Sequence, residues 1–181
     1  MEFKIDIKIF LIALVFLLVN QIYMYILFMT FAIIHECFHL LAGIILGYKV
    51  KSVRIMPLGL SIAFNEKEEE YNTKIRNSNF NNVKKIIILL MGPISNIVIA
   101  FFFMLLNMAI PVYINVLIAI FNLLPIYPLD GGQILNRVIR IFYGNFEAYK
   151  ISNSVNNIIM SILTALASIG LLYTKNIAII F

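Results

Sequence analysis

Residues 9–47 read IFLIALVFLLVNQIYMYILFMTFAIIHECFHLLAGIILG, an apolar stretch of 39 residues. Apart from one cysteine and the tyrosines, its only ionisable side chains are His35, Glu36 and His39. A helix crosses a hydrocarbon core of about 30 Å with about 20 residues, so the stretch is too long for one crossing. The polar pair Asn20–Gln21 is the one suitable turn, and we therefore predict two helices separated by that pair.

The composition of the whole chain is typical of a membrane protein. Of its 181 residues, 62% are hydrophobic and 13% are charged, whereas about a quarter of the residues in a soluble domain are charged. One cysteine excludes an internal disulfide, and the apolar content excludes collagen-like and disordered chains. The net charge of +5 does not indicate a nucleic-acid partner, because the cations lie between apolar spans, as topology signals do.

The hydropathy pattern predicts five membrane spans. They cover about residues 7–19, 22–47, 86–110, 112–127 and 155–173. Helical apolar spacing with two arginines predicts a short interfacial helix over 133–143. The expected fold class is an all-α polytopic membrane protein with about five transmembrane helices. We expect one domain over 1–181, with its core in 20–136.

The segment 48–85, between the second and third predicted helices, is the one extramembrane segment of any size. Apolar residues alternate at period two within 53–64, with a break at Pro57. This alternation predicts two short strands or a kinked hairpin at the membrane surface, a small β-strand insertion in the helical fold. The polar second half of the segment has little to bury and is predicted to be a solvated linker.

The distribution of positive charge predicts the orientation of the helices. If the N-terminus, segment 48–85 and segment 129–154 share one side, 13 of the 14 lysines and arginines lie there and only Lys175 lies opposite. The positive-inside rule then predicts a cytoplasmic N-terminus and a cytoplasmic loop 48–85. The final TKNIAIIF is too short to cross again, so it forms either an interfacial tail or the start of a sixth span.

The pentapeptide HECFH, residues 35–39, carries the chemistry of the first long apolar stretch. Histidines at i and i+4 project from one helical face and can share a zinc ion, while Glu36 can reach a zinc-bound water as general base. The alternative is a buried hydrogen-bonded cluster between helices. Ionisable groups are costly in lipid, and one divalent cation would satisfy His35, Glu36 and His39 together, which favours the metal site.

A catalytic zinc site needs a third protein ligand, and Asp130 is the one other carboxylate near a span. Pro125 and Pro128 are predicted to stop the fourth helix before it fully crosses. The glycine pair 131–132 is predicted to permit an irregular backbone beyond this helix. Such a backbone is tolerated at membrane depth where it faces protein or a water-filled cavity. The alternative is an interfacial turn with a capping aspartate.

Three motifs in this order resemble those of the site-2 proteases, which are intramembrane zinc metalloproteases. HECFH resembles the HExxH motif of that family, and residues 122–132, NLLPIYPLDGG, resemble its NxxPxxPLDGG pattern. GPISN at 92–96 is similar to the GPxxN signature of its third core helix. The strand region and the N-terminal helical hairpin look most like the bacterial branch typified by stage IV sporulation protein FB, which processes a sigma-factor precursor.

The resemblance implies a set of roles for the polar residues. It implies Zn²⁺ held by His35, His39 and Asp130, with Glu36 as catalytic base and acid. It also implies that Asn122 polarises the scissile carbonyl or holds substrate. Asn96 is the second candidate for substrate binding, although an amide in an apolar helix is satisfied equally well by packing between helices.

The two residues between Glu36 and His39 in the HECFH motif are Cys37 and Phe38. Many site-2 proteases have glycine just before the second histidine, where this chain has Phe38, and this difference can alter helix packing beside the metal. Cys37 lies about 200° around the helix from His35, so we interpret it as a packing residue.

The expected function is hydrolysis of a peptide bond in or near the membrane segment of a membrane-associated protein, such as a transcription-factor precursor. Expected partners are that substrate, the lipid bilayer and a membrane-protein regulator, with the chain integral to a bacterial cell membrane. A noncatalytic zinc-binding membrane scaffold and a metal-ion transporter are the alternatives. A transporter needs ligands at several depths, and a scaffold would often have lost Glu36.

Overall fold

The structure is a computed structural model that describes residues 2–5, 7–56, 59–64 and 75–174, with side chains over 7–52 and 79–170. Most of the described residues are helical, as predicted. In chain order the elements are β1 (Glu2–Ile5), α1 (Lys8–Leu18), α2 (Ile22–Ile45), β2 (Val50–Met56), β3 (Gly59–Phe64), α3 (Ile75–Leu105), α4 (Ala109–Leu123) and α5 (Asp130–Thr174). The chain forms two compact units, Met1–Asn122 and Leu123–Phe181.

The predicted turn at Asn20–Gln21 is confirmed, because α1 ends at Leu18 and α2 begins at Ile22. Asn20 takes a left-handed conformation with φ 61°, and the amides of Asn20 and Gln21 donate to carbonyls of the last helical turn. This pattern is a Schellman motif, in which asparagine is tolerated at the left-handed position.

Schellman motifs also end α2 and α3. Gly47 has φ 86° and Asn107 has φ 54°. In each case two successive amides beyond the helix donate to carbonyls of its last turn at 2.9 to 3.0 Å. Carbonyl groups that would otherwise be unsatisfied at the helix ends therefore have partners within the chain, which matters where water is scarce.

A three-stranded sheet has the order β1-β2-β3. β2 and β3 pair antiparallel, with Met56 opposite Gly59 at the tight end. β1 pairs parallel with β2, from Glu2 opposite Ser52 to Ile5 opposite Ile55. Strand β1 was not predicted from the sequence, because four residues with a polar composition form a strand only once a distant partner is in place. β2 and β3 also lie against α2.

Helix α3 begins at Ile75, about ten residues before the predicted span. Part of the predicted solvated linker is therefore helical, and its other part, 65–74, lies outside the described residues. Once a long apolar helix exists, each added residue contributes one backbone hydrogen bond without a new nucleation cost. Extension of the apolar helix toward its N-terminus therefore explains why the polar residues at the start of α3 are helical.

Small side chains are buried on both α2 and α3, two helices that contact each other. The buried residues of this kind are Ala32, Ala42 and Gly43 on α2 and Gly92, Ser95 and Ala100 on α3. Small residues let two helix backbones approach closely, which is how helices associate in lipid. Phe31 on α2 adds an edge-to-face contact with Phe103 on α3, with ring centroids 5.7 Å apart. The backbone of α3 is thereby held close to α2.

Two of the described helices are long and apolar enough to cross a membrane, Ile22–Ile45 and Asn79–Leu105, with mean hydropathies of 1.7 and 2.5. α1 and α4 are shorter apolar helices. Large apolar side chains are exposed along α1, α3 and α4. Such a surface is unfavourable in water and favourable in lipid, and it agrees with a membrane protein.

In the second unit the chain leaves α4 at Leu123 and enters α5 at Asp130. The predicted break of the fourth helix by its prolines agrees with the end of α4 at Leu123, and the backbone over 124–129 is irregular, as predicted beyond that helix. Gly131 and Gly132 lie in the first turn of α5, and a Cβ on either would come closer than 3.0 Å to backbone atoms of residues 123–127. These glycines permit close approach, and the irregular backbone comes before the aspartate.

Helix α5 is interrupted at Gly144, whose φ of 83° and ψ of 177° are not helical. The part before this glycine contains the predicted interfacial helix. Across the break, the Asn136 side-chain amide donates to the Ser152 hydroxyl at 3.2 Å and to the Ala148 carbonyl at 3.4 Å. The two parts of α5 therefore contact each other.

Replacing Phe31 by alanine is expected to destabilise the contact between α2 and α3. The variant removes the edge-to-face pair and leaves a cavity, which corresponds to a loss of about 3 kcal/mol. Phe101→Ala is the control, because Phe101 on α3 is exposed and its loss should cost less than about 1 kcal/mol. Unfolding titrations in mixed micelles would measure both, and equal losses would contradict the packing described here.

Candidate metal centre

His35 and His39 lie one turn apart on the face of α2 that contacts α3. Their side chains are 2% and 6% exposed. The ring centroids are 4.7 Å apart, and the two Nε2 atoms are 3.1 Å apart. Two nitrogen ligands of a tetrahedral zinc ion, each at about 2.0–2.1 Å from the metal, are about 3.3 Å apart. The placement of the two rings therefore fits a shared zinc ion.

The hydrogen bonds of the two rings determine where the protons lie. Nδ1 of His39 is 2.7 Å from the carbonyl oxygen of Ile88, and Nδ1 of His35 is 2.6 Å from Oδ1 of Asn96. Carbonyl oxygens only accept, so each Nδ1 carries the proton and donates it. In the neutral rings each Nε2 then presents a lone pair, and the two lone pairs face the same small region. This is the arrangement that metal-binding histidines need.

Gly92 on α3 leaves room beside the two rings. A Cβ on this residue would come closer than 3.0 Å to Nε2 of both His35 and His39. Any larger residue would therefore occupy the space in front of the lone pairs. The GPISN motif has glycine at this position because a residue without a side chain lets the α3 backbone pass the ligand atoms without covering them.

Asp130 is the third member of the group and is 9% exposed, in the first turn of α5. His35, His39 and Asp130 are positioned to bind a metal ion, with one ligand atom of each within 4.8 Å of the others. Two imidazole nitrogens and one carboxylate oxygen form a known donor set for catalytic zinc, with a fourth position left for water or substrate. The three predicted ligands fit this donor set.

Glu36 and Asn122 are the residues to which the resemblance assigns catalysis and substrate binding. Glu36 is half-buried beside His35 on α2. Asn122 is half-buried near the end of α4, and its side-chain amide donates to the carbonyl of Ile118 at 3.0 Å. An amide group has two hydrogens, so Asn122 can still donate the second one. The roles assigned to Glu36 and Asn122 stay predictions.

Asn96 lies in the protein interior. Its amide oxygen accepts from His35, and its Nδ2 donates to Oδ1 of Asn115 at 3.0 Å. Substrate binding by Asn96 stays a prediction, whereas its contact with a metal ligand is a feature of the structure. Asn115 was not among the residues predicted from the sequence. The signal was present, because an asparagine inside the apolar helix α4 requires a polar partner.

A helical fold with an HExxH helix and a buried His-His-Asp cluster defines a metallopeptidase type of site. The family model of peptidase family M50 matches residues 23–113 and 107–167 of this chain. The matched residues include all three metal-binding side chains and cover more than half of the sequence. The chain belongs to peptidase family M50.

Two relatives agree with this assignment. The chain is 27% identical over 135 residues to zinc metalloprotease MJ0392 of Methanocaldococcus jannaschii, over 73% of this chain and 39% of the relative. The chain thus spans about two fifths of the length of that curated relative. The fold is similar to the solved structure of a site-2 protease from Methanocaldococcus jannaschii, with a TM-score of 0.70 and 19% identity, over 99% of this chain and 85% of that one.

Replacing Gly92 by alanine is expected to abolish zinc binding while the helix remains intact. Alanine is the better helix former by about 1 kcal/mol, but its methyl group would occupy the space between the two Nε2 atoms. Zinc content per purified chain, measured by mass spectrometry, should fall to background. Gly170→Ala is the matched control, because a Cβ there meets nothing within 4 Å. Full zinc content in Gly92→Ala protein would contradict the site.

Proposed function

We propose that this chain is an intramembrane zinc metalloprotease that hydrolyses a peptide bond in or near the membrane segment of a membrane-associated protein. The observation that carries the proposal is the buried cluster of His35, His39 and Asp130, with Glu36 adjacent to the first ligand in the chain. Membership of peptidase family M50 supports the same chemistry.

The protein residues have separate tasks in this reaction. The two imidazoles and the Asp130 carboxylate hold zinc, which when bound polarises a carbonyl and lowers the pKa of its water toward about 7. Glu36 accepts a proton as the attacking water is activated and delivers it to the leaving amine. Asn122, with its second amide hydrogen, holds the scissile carbonyl or a neighbouring part of the substrate. The helix contacts around His35 and His39 exclude bulk water.

The edge of β3 supports a mode of substrate presentation. A helical substrate hides its backbone carbonyls, so the scissile segment has to unwind before it is cut. Within the described residues β3 pairs with β2 on one side only, and it lies against α2, the helix that carries both histidines. An extended substrate segment added to β3 by β-augmentation would be held as a strand close to that helix.

The membrane arrangement belongs to the same proposal. We assign five transmembrane helices in one domain, with the β-strand insertion at the membrane surface and the N-terminus in the cytoplasm. The charge distribution supports this orientation, because 13 of 14 lysines and arginines then share the cytoplasmic side. The cell is assigned as bacterial on the sequence resemblance to the branch of stage IV sporulation protein FB.

The resemblance to the branch of stage IV sporulation protein FB also suggests which partners the protein has. A membrane-tethered transcription-factor precursor is the proposed substrate, and a second membrane protein is the proposed regulator. Nucleic acid is not a proposed partner. The resemblance of the three sequence motifs supports these assignments.

Replacing Glu36 by glutamine is expected to stop proteolysis without loss of zinc. The glutamine keeps the shape of the side chain but cannot accept the proton, so cleavage of reconstituted single-span membrane proteins should fall about 100-fold or more. Zinc content should stay that of wild type, whereas His35→Ala should lose both zinc and cleavage. Gel analysis of cleavage products and mass spectrometry of bound zinc measure the two effects.

Glu147→Gln is the matched control, because Glu147 is a half-buried carboxylate of α5 outside the proposed catalytic residues. It should cleave like wild type. Cleavage at the wild-type rate by Glu36→Gln protein would exclude the proposed base. Zinc flux across the vesicle membrane that persists in that variant would instead support a metal-ion transporter.

Backbone methylation of a substrate should reveal strand addition to β3. Alternate N–H groups of an added strand point to its neighbour, so moving one N-methyl group along the substrate should weaken cleavage at every second position. Each lost hydrogen bond corresponds to about 0.5–1.5 kcal/mol, or about 3- to 10-fold in kcat/KM. A loss confined to the scissile bond, without alternation, would be evidence against β-augmentation.

A further inference from the structure

Two asparagines without exposed surface connect His35 to helix α4. Asn96 on α3 and Asn115 on α4 are both 0% exposed. Nδ2 of Asn96 donates to Oδ1 of Asn115 at 3.0 Å, and Nδ2 of Asn115 donates to the carbonyl of Pro111 at 2.8 Å. With the bond from His35 to Asn96, these contacts form a continuous chain of hydrogen bonds from the metal ligand to a backbone carbonyl.

The direction of this chain follows from its far end. The carbonyl of Pro111 can only accept, so Asn115 must turn its NH₂ group to Pro111 and its oxygen to Asn96. Asn96 must then turn its own NH₂ group to Asn115 and its oxygen to His35. The oxygen of Asn96 in turn requires the proton of His35 on Nδ1. Each orientation is dictated by the previous one.

We propose that Asn115 is a positioning residue for the metal centre: by accepting a hydrogen bond from Asn96, it holds the Asn96 oxygen toward His35 and thereby keeps the His35 Nε2 lone pair available for the metal. Within the described part of the chain, the hydrogen bonds of the Asn115 side chain go to Asn96 and to the Pro111 carbonyl, so Asn115 acts on His35 through Asn96. The inference concerns metal affinity and does not depend on the proposed proteolytic function.

The two histidines differ in how their tautomer is determined. His39 donates directly to the backbone carbonyl of Ile88, which cannot rotate. His35 donates to a side-chain amide, which can rotate by half a turn. If the Asn96 amide reversed, its NH₂ group would face Nδ1 of His35, and the proton of that ring would move to Nε2. The ring would then present a donor where the metal needs a lone pair.

The test compares Asn115→Leu with Asn115→Asp in the full chain in detergent micelles. Leucine keeps the branching at Cγ but removes the acceptor. Aspartate, protonated in this apolar interior, still accepts from Asn96 with one oxygen and donates to Pro111 with its hydroxyl. Partners of metal-binding histidines typically contribute 10- to 100-fold in metal affinity, so chelator competition should give zinc binding about 10-fold weaker in Asn115→Leu, and close to wild type in Asn115→Asp.

Ile118→Ala separates positioning from packing. Ile118 is buried one turn further along α4, and its loss leaves a cavity without touching the hydrogen-bond chain. It should lower the unfolding midpoint but keep the zinc affinity of wild type. Equal losses of zinc affinity in Ile118→Ala and Asn115→Leu would overturn the proposal, as would wild-type affinity in Asn115→Leu.

A direct readout is the ¹⁵N spectrum of labelled histidine, since the chain has two histidines. In zinc-free wild type both Nδ1 atoms should carry protons, whereas in Asn115→Leu one of them should lose its proton in a fraction of molecules. Asn115→Ala removes the same acceptor without adding apolar volume and replaces Asn115→Leu if that variant does not fold. An unchanged spectrum in the folded variant would overturn the proposal.

Discussion

Two imidazole rings in an apolar interior, with their Nε2 atoms 3.1 Å apart, are the constraint on which the rest of the structure depends. Such groups are stable only if every polar atom has a partner, because lipid offers none. The protein supplies carbonyl-type acceptors for both Nδ1 atoms, and a cation can satisfy both Nε2 atoms. The contacts that prepare the rings for a cation are therefore the same contacts that satisfy their buried polar atoms. A substitution that removes one of these contacts is expected to change both metal binding and stability.

Helix α3 meets this requirement with three separate features. Its Ile88 carbonyl orients one ring, its Asn96 side chain orients the other, and its Gly92 leaves the space between them open. Close packing against α2 through small residues brings all three features into position. An α3 helix with bulky residues at this interface would stand too far away for either hydrogen bond. Packing and ligand orientation therefore depend on each other.

Residues that are unusual for their surroundings could be predicted from sequence. His35, His39 and Asp130 stand out because ionisable groups are costly near apolar spans, and Asn20 stands out because it is polar and lies between two apolar stretches. What could not be predicted depends on distant partners. The strand β1 exists only through pairing with residues about fifty positions away. The Asn115 side chain is informative only once Asn96 is known to lie opposite it, and the early start of α3 follows from a helix already formed downstream.

The parallel pairing of β1 with β2 has a consequence for how the chain can thread through a bilayer. Two strands of one sheet lie on the same side of the membrane, so the chain between Ile5 and Val50 must make an even number of crossings. If α2 traverses the bilayer, a second traverse has to occur within the same segment, and α1 supplies the remaining apolar residues. The requirement for an even number of crossings does not depend on the charges of the flanking loops. If α2, which carries the two histidines, crosses the bilayer, the short helix α1 has to cross it as well.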